Sequence, residues 1–240
     1  MSFFQIRLKP VISVRKVSIA ISTTHPTGSV DWQKFISTME SEAKKRSAPV
    51  FTLKDFLKTP FQHLVFAVLS SRTRDEQTAK VAKKLFERVK KPEDLATMPV
   101  EEIERLIRGV GFYRVKARKL KELAKVLVEM GSVPDTYDEL VKLPGVGRKT
   151  ANVVLASAFG KAAIGVDTHV HRVSNRMGLV RTKKPEETEN ELKKIIPREL
   201  WTRVNRAMVG FGQTVCRPLK PLCDECPFTD WCPKNGVKKG

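Results

Sequence analysis

The chain has 240 residues, and its 41% hydrophobic content with 13 glycines and 14 prolines excludes a wholly disordered or collagen-like chain. No apolar run approaches the roughly 18 residues of a membrane-spanning helix, so no membrane association is expected. The formal net charge is +19, from 45 lysines and arginines against 26 acids. A polyanion such as DNA or RNA is therefore the first candidate partner. A ribosome-associated or simply basic globular protein is the alternative.

Residues 1–30 contain no acidic residue and are predicted to be a basic N-terminal extension. It is interpreted as a DNA-binding arm, a transit-like leader or a misassigned start. From Asp31, a plausible helix N-cap, the apolar spacing becomes helical. No hairpin of strands follows, and the pattern predicts an all-α protein of about ten helices. Beyond the first helix, the predicted helical segments are 60–70, 75–89, 100–109, 115–130, 136–143, 149–159, 167–177, 185–196 and 198–215.

The segment LPGVGRK at 143–149 joins two predicted helices through a turn that contains Gly145 and Gly147. A Gly-x-Gly turn that opens a helix directs backbone N–H groups outward at the positive end of the helix dipole, where a phosphate binds. This pattern predicts a helix-hairpin-helix element that grips the DNA backbone without reading bases. A plain glycine-rich connector between packed helices is the alternative.

All four cysteines lie close together near the carboxyl end, spaced C-x6-C-x2-C-x5-C. Four thiols in so short a segment can ligate zinc or an iron–sulfur cluster, or form two disulfides. Disulfides fit poorly in a basic chain that is expected to be intracellular. The residues are Cys216, Cys223, Cys226 and Cys232.

Several blocks together resemble the endonuclease III branch of the helix-hairpin-helix DNA glycosylases, over residues 60–232. They are LSSRTRDE at 69–76, GVGFYRVKA at 109–117, LPGVGRKTANVV from 143, VDTHVHRVSNR from 166 and VGFGQTVC at 209–216. The cysteine spacing also matches that family's [4Fe–4S] pattern, so the resemblance implies this cofactor, with structural zinc as the rival.

The resemblance further implies two α-helical domains with damaged double-stranded DNA bound in the cleft between them. A six-helix barrel with the hairpin would span 53–161. A discontinuous iron–sulfur cluster domain would combine 31–52 with 162–240. The implied activity is that of a bifunctional DNA glycosylase and AP lyase of base excision repair, acting on oxidised pyrimidines.

The resemblance makes Lys149 the nucleophile and Asp167 the catalytic carboxylate. A neutral amine that attacks the sugar C1′ stays attached as a Schiff base and permits β-elimination, whereas activated water removes only the base. The helix dipole, Arg148 and partial desolvation are expected to favour the neutral amine. The simpler interpretations are a phosphate-contacting lysine and a helix N-cap. Asp75 is expected to be a structural cap.

Base excision requires the nucleotide to leave the stack, and side chains must fill the gap. By position in the family pattern, Arg72 and Phe112 are the candidate wedges. Bacterial relatives commonly have glutamine at the position of Arg72, which weakens the inference about opposite-base preference. Tyr113 and Arg148 are further candidate DNA contacts. A phosphate contact for Arg72 and a core position for Phe112 are the alternatives.

Two other functions remain open from the sequence: a monofunctional mismatch glycosylase for thymine or uracil opposite guanine, or for adenine, and a non-catalytic DNA-binding module. The presence of Lys149 favours the bifunctional enzyme. A monomer is expected, because one damaged site requires one protein. The expected location is intracellular, in the cytoplasm or nucleoid of a prokaryote or in the nucleus of a eukaryote.

Overall fold

The computed structural model describes residues 30–52 and 55–238. In this part of the chain the secondary structure is helical without strands, which confirms the all-α prediction. The predicted extension at 1–30 lies outside the described residues except for Val30. The helices are α1 (Trp32–Lys45), α2 (Pro49–Thr52), α3 (Pro60–Ser70), α4 (Asp75–Arg88), α5 (Pro92–Thr97), α6 (Val100–Leu106), α7 (Tyr113–Met130), α8 (Tyr137–Leu140), α9 (Arg148–Phe159), α10 (Thr168–Arg176), α11 (Pro185–Ile195), a 3-10 turn (Arg198–Leu200) and α12 (Trp201–Thr214).

Local sequence signals account for several helix starts. Asp31 caps α1, as predicted, because its carboxylate accepts a hydrogen bond of 2.9 Å from the backbone N–H of Lys34. Thr59 and Gln62 form a reciprocal capping box around Pro60, the first residue of α3. No described helix is long and apolar enough to cross a membrane.

The sequence pattern differed from the structure mainly in short elements. The four-residue α2 and six-residue α5 were not predicted, because segments this short carry too little periodicity. The helix predicted at 136–143 is α8 alone, which ends after one turn. The segment predicted at 198–215 is divided into the 3-10 turn and α12.

The buried apolar side chains form two clusters. The first cluster runs from Leu57 to Ala163 and is built mainly from α3, α4, α7 and α9. The second cluster combines residues between Phe35 and Val50, which precede the first cluster in the sequence, with residues between Ile164 and Phe228, which follow it. In the second cluster α1 packs along α12, and α10 packs on α12. The two clusters meet where α12 contacts α9 and α2 contacts α4.

Candidate active site

A cleft of about 450 Å³, including solvent-open space, lies where the two clusters meet. Its walls come from α3, α9, α12 and the segment that precedes α10. Lys149 and Asp167, predicted from separate sequence blocks, both line this cleft. Polar groups of His63, Ser157 and Asn205 also line it. An amine and a carboxylate thus share one concave space with apolar walls, an arrangement typical of an active site.

Lys149 is the second residue of α9, and the N-cap of that helix is Gly147 in an extended conformation. A Cβ added at Gly147 would meet no atom within 4 Å, so the space in front of this helix end is open. The first-turn N–H groups of a helix lack intrahelical partners and attract anions. The open helix end can therefore admit a phosphate beside Lys149.

The turn before α9 is fixed by its glycine and its apolar residues. Gly145 has φ +80°, a left-handed conformation that strongly favours glycine. Leu143 and Val146, on either side of it, are buried in the first cluster. The N–H of Val146 donates to the carbonyl of Leu143 at 3.1 Å and closes the turn. The predicted hairpin is thus a rigid support for the open helix end.

We expect Gly147→Ala to weaken DNA binding about tenfold, or ~1.4 kcal/mol, because its methyl group would occupy the space that a phosphate needs. Alanine is also a poorer N-cap than glycine, so up to about 1 kcal/mol of stability is lost. Titration of fluorescent abasic-analogue DNA measures the affinity.

Gly160→Ala is the matched control at the opposite end of α9. Gly160 has φ +63° and open space around it, so alanine there also costs about 1 kcal/mol, through backbone strain alone. Equal DNA affinities for the two variants would contradict the phosphate-binding role of Gly147.

Asp167 is the N-cap of α10, as its simpler interpretation predicted. Its Oδ1 accepts hydrogen bonds of 2.9 Å from the backbone N–H groups of His169 and Val170. Among the described residues, Oδ2 accepts no hydrogen bond. The cap therefore fixes the carboxylate in place through one of its two oxygens, in a residue that lines the cleft.

The segment leading to Asp167 rests directly on α9. A Cβ at Gly165 would lie 2.5 Å from Cγ2 of Val153 and 3.3 Å from the carbonyl oxygen of Lys149. The Gly165 carbonyl accepts a 2.6 Å hydrogen bond from Nδ2 of Asn205 on α12. A larger residue at Gly165 would force this segment away from α9, two residues before Asp167.

Arg148, next to Lys149, is held by a partner within the protein. Its guanidinium forms two hydrogen bonds, of 2.8 and 3.0 Å, with the buried carboxylate of Glu189 on α11. These bonds raise the pKa of Arg148. Glu189 also accepts from Lys193 at 2.6 Å. One carboxylate thus pairs with two cations, Arg148 and Lys193, and the DNA contact of Arg148 stays a prediction.

The two candidate wedge residues, Arg72 and Phe112, lie on separate loops, and their side chains are close to each other. The guanidinium carbon of Arg72 lies 5.5 Å from the centre of the Phe112 ring. Both residues have left-handed backbones, with φ values of 52° and 57°. Phe112 is 59% exposed, so it is not a core residue. Tyr113, by contrast, is half-buried against the first cluster.

All four cysteines are free thiols that line one cavity beyond the end of α12. Burial, with a smaller contribution from the other three thiols, raises the pKa of Cys226 to about 12. Arg172 donates to the carbonyl of Cys216 at 2.9 Å, and Arg176 lies 3.8 Å from its sulfur. Across the described residues, no set of three or more His, Cys, Asp or Glu is arranged for a metal ion.

Comparison with known proteins identifies the family. Residues 65–198 match the HhH-GPD superfamily base excision DNA repair proteins. Endonuclease III of Thermotoga maritima is 53% identical over 175 residues, which cover 72% of this chain and 82% of that protein. The chain belongs to the endonuclease III family of this superfamily. It is a bifunctional DNA glycosylase and AP lyase of base excision repair.

Solved structures agree with this membership. A trapped covalent intermediate of endonuclease III with DNA has a TM-score of 0.75 and 41% identity, covering 86% of this chain and 97% of that one. A thermostable thymine-DNA glycosylase has a TM-score of 0.74 and 28% identity, covering 85% and 95%. The fold of this endonuclease III family member is thus that of DNA-binding glycosylases, and the chain binds DNA.

The structure corrects one expectation for this family member and adds groups that sequence reasoning missed. Asp75 is not the N-cap of α4, which is Arg74. Its carboxylate instead accepts a 2.8 Å hydrogen bond from Gln213 of α12 and joins the two clusters. Glu189 and Asn205 carried no sequence signal, because each is defined by a partner distant in the chain.

Proposed function

We propose that the chain excises oxidised pyrimidines from duplex DNA, with Lys149 as nucleophile and Asp167 as its catalytic carboxylate. The observation that carries this proposal is that both side chains line one cleft beside an open helix N-terminus. A phosphate bound at that helix end would bring the adjoining sugar to the mouth of the cleft.

In the first step the neutral Nζ of Lys149 attacks C1′, and the bond between C1′ and the base breaks, so that the base leaves with the bonding electron pair and takes up a proton. Nζ then loses a proton, the C1′–O4′ bond breaks with O4′ taking up a proton from water, and the open sugar is held as a Schiff base between C1′ and Nζ. The Schiff base acidifies the C2′ proton, whose loss expels the 3′ phosphate by β-elimination. Hydrolysis then releases Lys149.

Asp167 would stabilise the positive charge that develops on the sugar during this reaction. Departure of the base leaves positive charge on the sugar, and a fixed carboxylate in a low-dielectric cleft lowers that barrier. The same oxygen can accept the proton that Nζ releases. Support comes from the capping bonds at Oδ1, which hold the group still while Oδ2 stays available.

We assign the remaining candidate residues to binding of the DNA backbone and to extrusion of the damaged nucleotide. Gly145, Gly147 and Arg148 would bind the phosphate backbone. Arg72 and Phe112 would enter the duplex as the wedge, because they are adjacent and Phe112 is largely exposed. Tyr113, next to Phe112 in the chain, would be a further DNA contact.

A panel of duplexes tests the substrate class. We expect fast excision of thymine glycol paired with adenine, cleavage at abasic sites, and slow or no excision of thymine or uracil opposite guanine. Preferential excision of thymine opposite guanine would favour the mismatch glycosylase, a candidate supported by the 28% identity with a thymine-DNA glycosylase.

We propose that Cys216, Cys223, Cys226 and Cys232 hold a [4Fe–4S] cluster. The fit rests on the donor set, four free thiols around one cavity, with two arginines on the side of Cys216. When bound, such a cluster cross-links the carboxyl-terminal loop.

We expect the protein to absorb visible light at about 400 nm, through thiolate–iron charge transfer in the cluster. Cys226→Ser should abolish that absorbance and lower the melting temperature. A colourless protein with stoichiometric zinc contradicts the assignment.

We also propose the division into a barrel domain at 53–161 and a discontinuous cluster domain at 31–52 plus 162–240. The two hydrophobic clusters, which change over between Ala163 and Ile164, support it. A monomer acting on damaged double-stranded DNA satisfies the geometry, since one chain supplies the whole cleft. The proposed location is wherever the genome lies, in the nucleoid or the nucleus.

A further inference from the structure

Lys116 is a buried lysine outside the cleft. It lies on α7 with 7% exposure, and its Nζ donates to the carbonyls of Leu69 and Ser71 at 2.7 and 2.6 Å. A third bond, of 3.2 Å, goes to Oγ1 of Thr73. An ammonium has three donors, so all of them are used within one turn. Burial lowers the pKa of this amine to about 8.

The turn that Lys116 holds is the loop of Arg72, and this loop touches the loop of Phe112. Thr73 Oγ1 also accepts a 2.9 Å hydrogen bond from the backbone N–H of Gly111. A Cβ at Gly111 would lie 2.8 Å from the carbonyl oxygen of Arg72. The two loops are therefore one packed unit, with Lys116 beneath it.

The backbone of this unit is strained at both candidate wedges. Arg72 and Phe112 adopt left-handed backbone conformations, which are energetically unfavourable for residues other than glycine. Such conformations persist only where surrounding bonds hold them. The bonds from Lys116 end on either side of Arg72, at Ser71 and Thr73.

We infer that Lys116 is a positioning residue whose ammonium locks the Arg72 loop against the Phe112 loop, so that the two side chains enter DNA as one preassembled wedge. This inference rests on the wedge role in the proposed function. A loosened loop would have to be ordered during nucleotide extrusion, and this would slow extrusion and leave the chemistry at Lys149 unchanged.

The test compares Lys116→Met with Lys121→Met. Lys121 is the matched control because it lies on the same helix and its Nζ donates to a distant carbonyl, that of Met98, at 2.7 Å. Single-turnover excision is measured for thymine glycol paired with adenine, and for thymine glycol in a one-nucleotide bulge, which is already unpaired. We expect Lys116→Met to slow excision of the paired lesion roughly tenfold or more, the bulged lesion much less, and Lys121→Met neither.

Equal slowing of both substrates by Lys116→Met, or slowing of neither, overturns the inference. If that variant does not fold, Thr73→Val removes the hydroxyl that links Lys116 to Gly111 and must give the same selective loss. Arg72→Ala and Phe112→Ala separate the two proposals. If neither variant slows excision of the paired lesion, the wedge role itself is wrong. If both slow excision of the paired lesion more than that of the bulged lesion, and Lys116→Met does not, only the proposed role of Lys116 is wrong.

Discussion

Lys149→Gln is expected to abolish borohydride-trapped adducts on abasic DNA and to reduce base excision by roughly 10³-fold or more, the scale seen when a covalent nucleophile is removed. Glutamine keeps a polar, unbranched stem only one atom shorter than that of lysine, but its amide nitrogen is not nucleophilic. Because phosphate contacts elsewhere are unchanged, DNA affinity should stay within a few-fold. Gel analysis of trapped adducts and single-turnover excision measure the two losses.

Lys142→Gln is the charge-matched control, because Lys142 lies exposed just before the same hairpin and does not line the cleft. It should form adducts at the normal rate and lose only some salt-sensitive affinity. Normal trapping by Lys149→Gln would show that a different amine attacks C1′, and the assignment of the nucleophile would be wrong.

Asp167→Asn is expected to reduce single-turnover excision by roughly 10²–10³-fold, because it removes the charge that faces the cationic sugar. The melting temperature should change little, since an asparagine oxygen caps a helix as well as a carboxylate oxygen. Activity and stability are therefore separated in one substitution. Quench-flow kinetics and thermal denaturation are the two measurements.

Asp167→Ala completes the comparison. It removes both the charge and the cap at α10, so it should match the activity loss of the asparagine variant and lose about 1 kcal/mol of stability as well. Near-normal excision by Asp167→Asn with impaired excision by Asp167→Ala would reduce Asp167 to a structural cap.

Most of the helices, the hairpin turn and the cap of α10 could be predicted because their signals are local. Capping at Asp31, the glycine turn at 143–149 and the cap at Asp167 each arise within a few residues. The cleft position of Lys149 and Asp167 followed from the family pattern. Periodicity alone cannot place two helices against each other.

The groups that were missed depend on contacts between distant segments. The pairing of Arg148 with Glu189 joins α9 to α11, and the bond from Gln213 to Asp75 joins α12 to α4. Lys116 reads as one more basic residue in a chain of net charge +19, and only the folded loops show its three acceptors. The role of a lysine or arginine depends on the groups that it contacts in the folded protein, and the sequence does not show those contacts.

The packing of α1 along α12 has a consequence for biosynthesis. During translation α1 emerges early, but α12, its main partner, begins only at Trp201. At roughly 5–20 residues per second, the apolar stripe of α1 stays uncovered for many seconds while the intervening segment is made. That segment contains the whole first cluster, so it can fold first on the ribosome and bring α1 and α12 together for the final docking step.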